Sequence, residues 1–162
     1  MTVRDKRVMW CHAHALTGKP RVGAWRTTRS PRCLAADGFE IVKVQREHPA
    51  SGSPQVVIEL TPGPAVARRC GRCGAGTVEV HDTTVRRIRE LPILDAETWL
   101  LVPLARVRCP ACGPSTEALP WLERYARMTK RFAESVARLA QVLPITEVAD
   151  HFRLKLGHGQ GD

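Results

Sequence analysis

The element Cys-x2-Cys-Gly occurs twice, as Cys70-Gly71-Arg72-Cys73-Gly74 and as Cys109-Pro110-Ala111-Cys112-Gly113, with 35 residues between Cys73 and Cys109. A two-residue spacer lets both sulfurs of a pair face one ion, and the glycine permits the tight turn that aims backbone amides at the thiolates. Two such knuckles complete a tetrahedron. Four thiolates leave no open coordination position, so the spacing predicts one structural Zn2+ held by Cys70, Cys73, Cys109 and Cys112. Such an ion adds folding energy to a domain too small for a large core. The same ligands also suit a rubredoxin-like iron site, whereas a Cys-x2-Cys redox pair would not need a second copy. His81 lies between the knuckles, but four cysteines already suffice, and it reads as a surface or hydrogen-bonding residue.

The metal reading depends on compartment. The longest apolar runs, such as Trp99-Leu100-Leu101-Val102, are far too short to cross a bilayer, and the N-terminus has no unbroken apolar core of a signal peptide. The expectation is a cytoplasmic chain with no membrane partner. In a reducing cytosol six cysteines are not a disulfide framework, which leaves metal ligation or redox chemistry for closely spaced pairs. With 162 residues, 43% of them hydrophobic, there is room for one ordinary domain or two very small ones.

A net charge of +9 and an isoelectric point near 9.9 invite a nucleic-acid partner, but the charge is unevenly placed. Residues 1–33 carry eight Lys or Arg against one acid, and residues 66–131 carry twelve against seven. The first segment shows no helical or strand period and reads as a disordered basic extension. It suits phosphates non-specifically, or is a bland solvated extension, or is leader sequence translated from an upstream start. Cys11, His12, His14 and Cys33 are scattered ligands without a repeated knuckle and are not expected to form a second metal site.

Order is expected from Leu34. Phe39 to Val44 and Gln55 to Leu60 are short and β-branched, and Ser51-Gly52-Ser53-Pro54 between them is rich in turn formers, so 34–65 reads as a β-hairpin segment. Residues 66–119 read as a zinc ribbon, because the sequence between the knuckles alternates in the manner of strands. Its arginines, Arg86, Arg87, Arg89, Arg106 and Arg108, are guanidinium forks suited to phosphate oxygens or guanine edges. They equally suit a solvated sheet face neutralised by Glu79, Asp82 and Glu90.

Downstream the period changes. Phe132, Val136, Leu139 and Leu143 fall at helical spacing with Thr129 as a cap, predicting one helix over 131–143. Pro144 stops it, Thr146 recaps, and Thr146 to Phe152 forms a second helix whose Ala149 permits close approach. Arg127, Lys130 and Arg131 gather basic charge at the start of this helical unit.

Six motifs in order, the two knuckles among them, carry a resemblance. With Arg86-Arg87-Ile88-Arg89-Glu90-Leu91-Pro92, Glu117-Ala118-Leu119-Pro120, Met128-Thr129-Lys130-Arg131-Phe132 and Pro144-Ile145-Thr146-Glu147-Val148-Ala149, the chain resembles the N-terminal region of the ISL3 family of insertion-sequence transposases from about Leu34 to Leu156. The resemblance implies a zinc-binding domain and then a helix-turn-helix that recognises terminal inverted repeats in double-stranded DNA. In the family an RNase H-like Asp-Asp-Glu domain follows. No catalytic residue carries over, and the expectation is a chain that binds DNA without cutting or joining it and has no small-molecule substrate. Homo-oligomerisation is expected only through the remainder of a full-length protein. The competing class is a zinc-stabilised protein-interaction module. The expected fold is α+β: a β-hairpin and four-cysteine zinc ribbon, then an incomplete helix-turn-helix over 120–157 and a tail over 158–162. The tail, with three glycines from Gly157 to Asp162, does not suit a recognition helix. A one-nucleotide shift of allowed codons there reads Trp-Gly-Thr-Val-Lys, and a frameshift scar is expected.

Overall fold

The computed structural model of the protein describes residues 36–64, 66–76 and 79–156. The basic extension, with Cys11, His12, His14 and Cys33, and the glycine-rich tail both lie outside the described residues.

The turn formers at 51–54 join β1 (Phe39–Glu47) to β2 (Gln55–Pro62), which pair antiparallel with a bulge between Ile41 and Lys43. The alternating sequence between the knuckles makes a longer hairpin, β3 (Val80–Ile93) and β4 (Ala96–Cys109). After the second knuckle, β5 (Gly113–Thr116) turns back along the end of β4. β2 runs parallel to β4, with Gln55 to Glu59 beside Glu97 to Leu101, giving the order β1-β2-β4-β3. β2 ends at Pro62, and all five strands belong to one sheet. A parallel pair needs a long connection, and the first knuckle together with β3 supplies it.

β4 serves two cores. Its buried positions are even-numbered from Ala96 to Leu104 and odd-numbered from Ala105 to Cys109. The first set faces the main core, where Leu100, Val102 and Leu104 meet Ile58, Ile88 and Trp121. Complete burial of Ile88, Leu100 and Val102 contributes about 1.5–3 kcal/mol apiece. The second set carries the strand into the ribbon. At the change of phase the buried Glu117 carboxylate accepts from the Ala105 amide at 2.7 Å and from Arg68 at 2.8 Å.

Two helices complete the α+β fold. α1 (Lys130–Leu139) starts at Thr129, whose hydroxyl accepts from the Phe132 amide at 3.3 Å, as the sequence predicts. It stops at Leu139, short of the expected Leu143. Proline disfavours helical geometry in the residue before it, and Val142 is 75% exposed, so no burial holds a further turn in place. α2 (Ile145–Phe152) begins one residue earlier than expected. Pro144, not Thr146, is its N-cap, and the Pro144 carbonyl accepts from the Val148 amide at 3.1 Å. The helices share a small core of Phe132, Val148 and Phe152, extended by Leu91 of β3. No helix among the described residues is long and apolar enough to cross a membrane.

Candidate metal centre and nucleic-acid interface

The metal cluster assembles from the two knuckles. Gly74 and Gly113 follow the second cysteine of each knuckle at φ of 74° and 71°, the left-handed region that glycine enters without penalty. In the first knuckle the Gly74 amide donates to the Cys70 carbonyl at 2.8 Å, and the Arg72 amide reaches the Cys70 sulfur at 3.4 Å. Gly71 is fixed for another reason: its amide donates to the Thr116 carbonyl at 3.0 Å, and a β-carbon there would stand 2.3 Å from that same oxygen. Spacing alone does not reveal this constraint, because Thr116 is remote in sequence.

All four sulfurs lie within 4.8 Å of one another, and Cys73 Sγ is 3.6 Å from Cys109 Sγ. A tetrahedral ion with metal–sulfur bonds of about 2.3 Å spaces its ligands about 3.8 Å apart, so the donor set fits zinc. Electrostatics favour a cation as well. The Ser115 hydroxyl, 3.3 Å from Cys70 Sγ, and the Cys73 and Arg72 amides lower the Cys70 thiol to about 6. Cys112 is pushed up to about 12 by its hydrogen bond to Cys73, by burial and by the neighbouring Cys109 sulfur. Like charges crowded together resist full ionisation without a divalent ion to share them. Cys70, Cys73, Cys109 and Cys112 thus hold a structural zinc, which supplies cross-linking and no open coordination position. His81 is exposed and outside this cluster.

The expected DNA-facing cations have different fates. Arg106 and Arg108 are exposed at the ribbon end of β4, Arg106 opposite Asp82 in the register and Arg108 paired with Glu79 at 3.3 Å. Both members of the latter pair are more than half exposed, and such pairs contribute little to stability. Arg87 is exposed and stacks 4.5 Å over Trp99 while donating to Gln55 at 2.6 Å. Arg86 reaches the Ala126 carbonyl at 3.0 Å, close to the exposed Arg127 and the half-buried Lys130. Arg131 lies 3.2 Å from the buried Glu90.

Arg89 corrects the sequence expectation. Only 5% exposed, it is ion-paired with Glu97 and donates to the Phe152 carbonyl at 3.1 Å, at the C-terminus of α2. A buried guanidinium there neutralises Glu97 and complements the helix dipole, which removes Arg89 from any DNA-contact set. Glu90 is inside for a related reason, accepting from Thr129 Oγ1 at 3.0 Å and from the Leu91 amide at 2.7 Å. Strict alternation of β3 fails at these two residues because the helical unit covers them.

Comparison with known proteins agrees with this geometry. Residues 67–112 match the zinc finger of the IS204/IS1001/IS1096/IS1165 transposases, and residues 117–155 match the helix-turn-helix domain of transposase family ISL3. The chain is 40% identical over 118 residues to the transposase for insertion sequence element IS1001 of Bordetella parapertussis, covering 72% of this chain and 28% of that protein. It is 34% identical over 109 residues to the transposase for IS1557 of Mycobacterium tuberculosis, covering 67% of this chain and 24% of that one. The chain thus matches less than a third of the length of these curated relatives. No solved structure matches. With a four-cysteine ribbon leading into a helical unit, each matched by its own family signature, the chain belongs to the ISL3 family of transposases, as the part that carries the zinc ribbon and the helix-turn-helix.

Proposed function

We propose that this region docks the transposase onto double-stranded DNA at the terminal inverted repeats of its insertion sequence, and that on its own it neither cuts nor joins strands. The observation carrying this reading is the continuity of ribbon and helical unit. Glu90 and Arg89 of one strand tie the start of α1 and the end of α2 to the sheet that carries the zinc. A helix-turn-helix so anchored is presented as a rigid body, with Arg86, Arg87, Arg106, Arg108, Arg127, Lys130 and Arg131 offering positive charge for phosphates. Strand transfer requires clustered ligands for two divalent ions, and among the described residues the potential metal cluster is the four-cysteine one. A mobility-shift experiment with duplexes carrying the element's ends, beside a magnesium-dependent plasmid-nicking assay, tests both halves. A shift without nicking is expected; absence of a shift at low salt contradicts the DNA reading, and magnesium-dependent nicking contradicts the division of labour.

A further inference from the structure

Between ribbon and α1 the chain makes a turn that the family motifs do not explain. Tyr125, the single tyrosine of the chain, stands there at φ 63° and is 70% exposed. A left-handed conformation is unfavourable for a bulky residue, and exposure means that no burial repays it. The turn is nevertheless held firmly. Arg86 Nη2 approaches the Tyr125 and Ala126 carbonyls at 3.5 and 3.0 Å, and the Ala126 amide donates to the Glu123 carbonyl at 3.0 Å. Arg124 lies 4.7 Å from the ring centroid and donates to the tyrosine hydroxyl at 2.7 Å. That hydroxyl, acting as an acceptor toward Arg124, keeps its own proton to donate. Beside it is a cleft of about 200 Å³ that reaches Gly71 of the first knuckle and is bordered by Arg86, Lys130 and Glu123.

We infer that Arg124 and Tyr125 form a phosphate clamp for the backbone of duplex DNA, with Arg86 as the positioning residue that holds the turn open. A guanidinium and an adjacent O–H donor converge on one edge of the turn, and phosphate oxygens accept from both. Exposed Arg127 adds charge for a neighbouring phosphate. The aromatic ring supplies a flat apolar face for the sugar between them. The strained backbone is then the cost of presenting the ring outward, between the zinc ribbon and the helical unit, where a duplex lying along both would pass.

The inference rests on the DNA reading, and one experiment separates the two. The full zinc-loaded chain is titrated with a mixed-sequence duplex in a mobility-shift assay, and Tyr125 is nitrated with tetranitromethane in the free chain and in the complex, read by peptide mass spectrometry. Nitration in the complex is expected to be several-fold slower. Tyr125→Gly, which suits the backbone angle, is expected to keep or raise the melting temperature while weakening DNA binding roughly tenfold. Tyr125→Phe is expected to lose part of that affinity. Equal nitration rates in free and bound protein, or wild-type affinity in Tyr125→Gly, would overturn the clamp. Failure of any complex to form overturns the DNA reading and the clamp with it.

Discussion

Gly71 shows how one residue joins the two halves of the metal site. Its amide feeds the Thr116 carbonyl, and the space for a side chain is already filled by that oxygen at 2.3 Å. Gly71→Ala is expected to cost about 1–3 kcal/mol in chemical denaturation of the zinc-loaded protein; unchanged stability would mean that the β4–β5 segment yields. Cys109→Ser removes a ligand outright, and metal analysis should then fall from about one zinc per chain to well below it. The thiols also set a pH dependence. Cys112, pushed up to about 12, is protonated at neutral pH in the metal-free cluster, whereas Cys70, lowered to about 6, is largely ionised. Zinc uptake must displace the Cys112 proton, so affinity falls as pH falls. Calorimetry in buffers of different ionisation heat should register the released protons, and buffer-independent heats would contradict this. The four ligands are legible in the sequence because coordination spacing is local. Gly71, Ser115 and Glu117 are not, because their partners come from the opposite knuckle or from the interior of β4.

At the scale of elements, β3 is the strand that turns a ribbon into a platform. Arg89 bonds the end of α2 and Glu90 bonds the cap of α1, so the two helices dock on adjacent residues of one strand. Arg89→Ala leaves the partly buried Glu97 and the Phe152 carbonyl without their donor and should cost about 2–3 kcal/mol. Replacing both residues, Arg89→Met with Glu97→Leu, should recover much of that loss in the same denaturation measurement. A double variant no more stable than the single one would show that the bond to α2, rather than the ion pair, carries the effect. Successive residues of a strand point to opposite faces, so an alternating β3 with Ile88 in the core leaves Arg89 outward until the end of α2 covers it, while Glu90 shares the face of Ile88 and is held there by Thr129. The ends of α1 and α2 diverge from sequence expectation for a local reason. Pro144 does more than interrupt a helix: it sets the chain direction ahead of α2 and supplies the first accepting carbonyl through its own backbone.

On the scale of the whole molecule, the pairing of β2 with β4 merges the N-terminal hairpin with the ribbon. No periodicity announces a parallel contact across so long a connection, whereas the α+β class, the ribbon and the two helices follow from knuckle spacing and from a change of period that the sequence states locally. One consequence is that zinc, hairpin and helical unit should respond together: chelation is expected to lower the melting temperature of the entire described fold. Charge alone does not depend on that fold, since the +9 of the chain persists when it unfolds. The most direct measurement is therefore the affinity for a labelled duplex, by fluorescence anisotropy, of zinc-loaded and chelated protein across a salt series. Zinc-loaded protein should bind with log K falling linearly against log salt, losing at least about tenfold between roughly 50 and 200 mM, and chelation should remove most of the binding. Equal affinity before and after chelation would contradict this, because the basic charge of the chain, and not a surface organised by zinc, would then be what holds the DNA.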